Sequence, residues 1–492
     1  MDVAAKKHHK SSAEIRKKLG YPVIDGDGHM VEVGPVVLDF LKIVAGPKMV
    51  ERYVKMVSRK EGSFFRWYRM TKEERAYERV ARPPFWIVPT GSTLDRATWM
   101  VPELLSQRLE EFGIDYSILY TTEGLPLLGL QDTELRSAAM RALNMMYAEL
   151  FGPHKARLCP AAMIPMHTPE AALSELDFAV GKLGLKAIMI EGTIRRPIQA
   201  ALDNAKDPAK GPMAYYIDPL VIDSPYNYDP VWQKCIDLKV AATDHNASLG
   251  WVNRNLISNY NANHIGAFGA AGETFCKALF TAGITRRFPK LKFAFLEGGV
   301  GWACNLFADL VGHWEKRHPD MANRHLNPER IDRNQFVELL AKYGDERIRS
   351  KAEELREKDG VFLDQFKEKA EDIDEWSKTG ITSEQDIHDL FIPNFYFGCE
   401  ADDPITAWAF NTKINPMGAK LKAIFSSDIG HWDVVEPREI LIEAYELVED
   451  ELLSPEDFRD FVFGNPVELH TSMNPDFFKG TAIESAVENI GR

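Results

Sequence analysis

Asp27 and His29 close the run Tyr21-Pro-Val-Ile-Asp-Gly-Asp-Gly-His29. Two residues apart on an extended chain, a carboxylate and an imidazole point to the same side, because strand side chains alternate. Such a pair suits a divalent cation, which neutralises the acid and takes the lone pair of the neutral ring. The other reading of the pair alone is a solvated strand end at which Asp27 caps a turn. Similar groups recur after other apolar runs. Glu191 follows Ile-Met-Ile, and Asp244-His245-Asn246 follows Val-Ala-Ala-Thr. Glu297 follows Phe-Ala-Phe-Leu, Glu400-Ala-Asp402-Asp403 follows Tyr-Phe-Gly-Cys, and Asp428-Ile-Gly-His431 follows Ile-Phe-Ser-Ser.

The apolar runs are the elements that must position these groups. Strands are expected at Val23–Gly28, Tyr116–Tyr120, Leu158–Ile164, Ala187–Glu191, Val240–His245, Phe293–Glu297, Phe395–Cys399 and Ala423–Ser427. Helical patterns separate several of them, as at Leu130–Phe151, Pro169–Leu183 and Glu273–Phe288. Continuous apolar strands alternating with helices predict a parallel sheet covered on its outside. Eight such units predict an α/β fold, a (β/α)8 TIM-like barrel, and in such barrels the site lies at the C-terminal strand ends, where the ionisable groups fall. No G-x-G-x-x-G follows the first strand, which argues against a dinucleotide fold.

The expected organisation is a basic arm over residues 1–20, a barrel over 21–475 and a tail over 476–492. The arm carries His8-His9 and reads as solvated chain or a short amphipathic helix. A long insertion after strand one runs from about Val33 to Gly113, and a helical one between strands six and seven from about Cys304 to Pro393. The first holds Phe64-Phe65-Arg66-Trp67-Tyr68 and Arg82-Pro83-Pro84-Phe85-Trp86, which read as a lid, an apolar pocket or a satellite core. The second is rich in Glu, Lys and Arg, reads as a solvated face or oligomer contact, and opens its last helix with a capping box at Thr382-Ser-Glu-Gln385.

A net charge of −14 disfavours nucleic acid and anionic membranes as partners. The five cysteines are odd in number and form no C-x-x-C pair, so buried free thiols in a reducing, cytoplasmic compartment are expected. No apolar run reaches the roughly 18 residues of a membrane span. The expected partners are a small-molecule substrate and further copies of the chain, as a homo-oligomer.

The motifs Val-Ile-Asp-Gly-Asp-Gly-His29, Asp-His245-Asn, Leu-Glu297-Gly-Gly-Val-Gly-Trp302 and Phe-Ser-Ser-Asp428-Ile-Gly-His-Trp432 resemble the amidohydrolase superfamily. The likeness is to its branch of aminocarboxymuconate-semialdehyde and resorcylate-type decarboxylases, and it extends to Gly464-Asn-Pro-Val-Glu-Leu469. The resemblance implies metal ligation by Asp27, His29, His245 and Asp428, with Glu191 and Glu297 as weaker candidates. Asp27 stands where the family usually has the first His of H-x-H, and Glu297 replaces its strand-six His. Such mixed N/O donors suit one or two Zn²⁺, Mn²⁺ or Fe²⁺ ions.

The expected chemistry is hydrolysis of an amide, ester or thioester of a bulky organic acid. Asp428 would move the proton of an activated water, and His431, with Glu297 beside it, would face the substrate. His431 also reads as a surface loop residue stacked on Trp432. His264, after the strand-five loop, reads as an ordinary residue at a helix N-terminus, with reach into the site as the other reading. The alternatives are non-oxidative decarboxylation of an aromatic or unsaturated acid, and a non-catalytic binding protein on the same barrel.

Overall fold

Ten strands are present among the described residues, in the order β1 (Ile24–Met30), β2 (Tyr116–Thr121), β3 (Leu158–Met163), β4 (Ala187–Ile190), β5 (Ile194–Pro197), β6 (Tyr215–Asp218), β7 (Ala242–Asp244), β8 (Phe293–Phe295), β9 (Phe395–Glu400) and β10 (Lys422–Ser426). The computed structural model describes residues 11–58, 66–84, 91–206, 214–246, 254–356 and 374–490. Eight strands form one sheet in the order β1-β2-β3-β4-β7-β8-β9-β10, and every pairing in it is parallel. With helices between successive strands this is the (β/α)8 barrel expected from the sequence.

The barrel closes between its first and last strands. Asp428 N donates to the Asp27 carbonyl at 3.0 Å, and His29 N to the Ile429 carbonyl at 2.9 Å. Asp25 reinforces the seam: fully buried, it accepts from Ser117 Oγ at 2.6 Å and from Ser427 N at 3.0 Å, joining β1 to both neighbours. The β1 register shifts between Asp25 and Gly28. A Cβ on Gly28 would lie 2.4 Å from Asp25 Oδ2, so only glycine lets this carboxylate sit against the strand.

The opposite wall is aromatic. Phe293 and Phe295 of β8 meet Phe275, Phe395 and Phe397 at centroid distances of 5.7–6.2 Å, and Trp302 packs on Phe295 and Phe397. Each fully buried ring contributes about 1.5–3 kcal/mol by leaving water, which fixes the strand whose end carries Glu297. All five cysteines are free and buried. No described helix is long and apolar enough to cross a membrane.

Several expectations change in detail. The antiparallel pair β5–β6 follows β4 and has no counterpart among the expected strands. Helix Pro169–Leu176 continues as a π-helical turn, Asp177–Lys182. The N-terminal segment is a helix, Ser12–Leu19, with a capping box between Ser11 and Glu14. His8-His9, Phe64, Phe65, Phe85 and Trp86 lie outside the described residues. Trp67 packs under Arg75 at 3.6 Å and donates to the Ile257 carbonyl, as a satellite cluster. Within the insertion, Ala308–Asp389 forms a unit of its own. Its capping box falls one residue later than expected: Ser383 Oγ accepts from Asp386 N, and Asp386 Oδ2 accepts from Ser383 N. Asp386 takes the role expected of Gln385 because it stands three residues after the cap.

Candidate active site

Four strand ends deliver their polar groups to one point. Asp27 and His29 come from β1, His245 follows β7, Glu297 lies two residues beyond β8, and Asp428 and His431 follow β10. His29 Nε2 is 3.1 Å from His245 Nε2, 3.4 Å from Asp428 Oδ1 and 3.7 Å from Asp27 Oδ1. His245 Nε2 is 3.1 Å from Glu297 Oε2 and 3.9 Å from Asp27 Oδ1. His431 stacks on His29, with ring centroids 3.7 Å apart, and its Nδ1 is 2.7 Å from Asp428 Oδ1. It is buried against His29, so the reading of His431 as a surface residue stacked on Trp432 is corrected. Glu297 and Asp428 adopt φ of +54° and +49°, left-handed conformations that are unusual for these residues and turn both carboxylates inward.

The surroundings fix the rings. His29 Nδ1 lies 3.2 Å from the Thr121 carbonyl, which only accepts, so the ring proton sits there and Nε2 presents its lone pair to the cluster. Thr121 is held in turn by Glu32, whose buried carboxylate accepts from Thr121 Oγ1, from Tyr147 Oη at 2.5 Å and from Glu123 N at 2.8 Å. Glu32 is thus an anchor rather than a site group. Tyr260, His264, Phe268 and Trp432 form an aromatic wall beside His245 and Glu297. His264 Nε2 is 4.0 Å from Glu297 Oε1, so it belongs to the site although its sequence context reads as an ordinary helix.

Burial dominates the electrostatics. It pushes the carboxyls of Asp27, Glu297 and Asp428 well above the usual range, with further rises from neighbouring acids. Glu400, half-buried in the field of Glu297, is raised to about 9, mainly by desolvation. His29 is driven well below its ordinary value by burial and by His431 and His245, and His431 is pushed down to about 3. Both oxygens of Asp27 are buried without a hydrogen-bond donor. Neutral imidazole nitrogens and donorless carboxylate oxygens converging in a buried site fit a divalent cation. Among the described residues, two groups have donor atoms mutually within 4.8 Å: Asp27, His29 and His245, and His29, Glu297, Asp428 and His431.

Glu191 does not join either group. It ends β4 among Arg195, Arg136 and Asp244, and burial raises it to about 8. His154, His313, His318, His325 and His388 also lie outside both groups.

A family model described as amidohydrolase matches residues 115–348. No curated protein matches the sequence. An amidohydrolase from Mycobacterium avium subsp. paratuberculosis K-10 superposes with a TM-score of 0.51 at 15% identity, covering 92% of this chain and 99% of that one. A dihydroxybenzoic acid decarboxylase from Polaromonas sp. JS666, solved with bound manganese and 2-nitroresorcinol, gives 0.46 at 16% identity over 92% and 97%. A 5-carboxyvanillate decarboxylase from Novosphingobium aromaticivorans DSM 12444, complexed with manganese and a nitrobenzoic acid, gives 0.47 at 13% identity over 92% and 97%. These likenesses concern the fold. The family match is confined to residues 115–348, and the buried His and carboxylate groups are suited to hold a divalent metal.

Proposed function

We propose that the chain is a metal-dependent, non-oxidative decarboxylase of a planar aromatic or unsaturated carboxylic acid. The observation that carries this reading is the aromatic wall of Tyr260, His264, Phe268 and Trp432 beside a buried cluster of carboxylates and imidazoles. A flat conjugated acid fits such a wall by stacking. Asp27, His29, His245 and Asp428 would hold the cation, with Glu297 a further donor. When bound, the cation would supply positive charge to orient the oxygens of the acid.

Hydrolysis, the first expectation from the sequence, gives way on two grounds. The site is buried on every strand that builds it, and a low-dielectric site favours turning a charged carboxylate into neutral carbon dioxide. The aromatic wall also selects flat acids rather than a saturated ester or amide chain. In the reaction the carbon–carbon bond to the carboxylate breaks, and its electron pair stays on the ring or alkene carbon. That carbon takes a proton from the His431–Asp428 pair, whose Nδ1 and Oδ1 lie 2.7 Å apart. Solvent then restores the proton, so the balance is one carboxylate anion and one proton in, one carbon dioxide and one C–H product out.

The test uses protein loaded with Mn²⁺ in D₂O and a panel of carboxyl-¹³C aromatic and unsaturated acids. Release of ¹³CO₂ with one deuterium at the vacated carbon supports the reading. Absence of labelled carbon dioxide, together with ¹⁸O uptake from water into products of an ester and amide panel, would restore hydrolysis.

A further inference from the structure

The aromatic wall is carried by a helix too short to hold its own place. Tyr260 and His264 open and close a helix of 5 residues, and isolated helices shorter than about 12 residues are marginal in water. Its place is set from outside, by residues 66–84 of the connection between β1 and β2. Trp67 Nε1 donates to the Ile257 carbonyl at 2.6 Å, and Arg82 N donates to the Leu256 carbonyl at 3.3 Å. The Arg82 guanidinium lies 5.3 Å from the Trp67 ring centroid and 5.8 Å from that of Tyr260, within cation–π range of both. The connections after β1 and β7 thus meet beside the wall.

Asn263 closes this contact. It is 2% exposed, and its amide is used on both sides. Nδ2 donates to the Arg82 carbonyl and to the Leu256 carbonyl, each at 2.8 Å, and Oδ1 accepts from Leu256 N at 2.6 Å. One planar group therefore meets two acceptors and one donor. Aspartate has the same shape but no hydrogen to give either carbonyl. Asn263 directly precedes His264 and lies within one helical turn of Tyr260. Those two rings meet Trp432 at 5.3 and 5.1 Å, and His264 meets Phe268 at 5.9 Å, so a shift of the short helix would open the wall at each contact.

We propose that Asn263 is a positioning residue that sets the preference for flat acids, by clamping the β1–β2 connection to the helix that carries Tyr260 and His264. Its amide is spent on backbone groups, so it acts on the substrate through those two rings. The assignment rests on the reading of the wall as the stacking surface, and not on the fate of the carboxylate.

The test is calorimetric titration of the Mn²⁺-loaded full chain with benzoate and with cyclohexanecarboxylate, its saturated counterpart. The parent is expected to bind benzoate about tenfold more tightly, the size of one good ring contact. Asn263→Asp is expected to reduce that preference to about twofold or less with Mn²⁺ affinity unchanged, and the ratio of the two acids cancels the effect of the added charge. Trp67→Phe keeps a ring and removes the donor to Ile257; it guards against failure of the first variant to fold, and should reduce the preference to about three- to fivefold. A preference unchanged in any variant that folds, or both acids weakened alike, would overturn the assignment. No preference in the parent would overturn the stacking surface and the assignment with it. A parent preference lost in the variants, with no carbon dioxide released from any acid, would refute decarboxylation and leave the role of Asn263 standing.

Discussion

Replacing Glu32 by Gln should loosen the metal site from outside it. Glu32 is 5% exposed and touches no substrate-facing group, yet its carboxylate accepts from Thr121 Oγ1, Tyr147 Oη and Glu123 N. The Thr121 carbonyl then takes the Nδ1 proton of His29. Glutamine has the same shape, but its amide presents hydrogens to at least one of three donors. The two hydroxyls can rotate; the Glu123 amide cannot. Losing one charge-assisted bond in a buried site costs about 1–3 kcal/mol. Loosening the partner of a ligating histidine lowers metal affinity by about 10–100-fold. The assay is titration of metal-free protein with Mn²⁺, read from the free-ion paramagnetic signal, beside urea unfolding of the same samples. A stability loss with unchanged Mn²⁺ affinity would make Glu32 a packing residue only. No change in either would refute the reasoning outright.

Other outcomes follow from the same geometry. His245→Ala should lose metal and activity together, whereas His388→Ala, on a half-buried helix residue beside Asp389, should change neither; elemental analysis and turnover check both. Trp432→Ala removes part of the aromatic wall and should raise KM for a flat acid about tenfold, as loss of a ring contact near 1.5 kcal/mol implies; an equal loss for saturated acids would argue against stacking. Burial pushes His470 from 6.5 down to about 3, where it stacks on Phe477 at 4.2 Å. The unfolded chain therefore binds this proton more readily than the folded one. Stability from this group is complete above about 6.5 and falls as pH drops towards about 3, by about 1.4 kcal/mol per pH unit. His470→Phe should flatten that slope in denaturant titrations between pH 7 and 5, and an unchanged slope would assign the acid sensitivity elsewhere.

The barrel was legible because its strands are continuous apolar runs, each ended by a polar residue that burial would otherwise exclude. Asp27, His29, His245, Glu297, Asp428 and His431 could be placed from that contrast alone. The left-handed backbone at Glu297 and Asp428 left no such trace, since neither is glycine. His264 carried two readings because its neighbours form a short helix, and only the folded chain brings it 4.0 Å from Glu297. Asp25 and the anchoring role of Glu32 left no trace for a related reason: each is an acid whose donors come from distant elements.

A cation at the converging strand ends is the central expectation. Elemental mass spectrometry of protein purified without a polyhistidine tag, run beside Asp27→Ala and Asp428→Ala variants that retain the fold, tests this directly. The account predicts about one or two divalent ions per chain in the parent, as mixed N/O donors allow, and far less in both variants. Equal metal in all three proteins, or a parent that neither contains nor takes up Zn²⁺, Mn²⁺ or Fe²⁺, would contradict it.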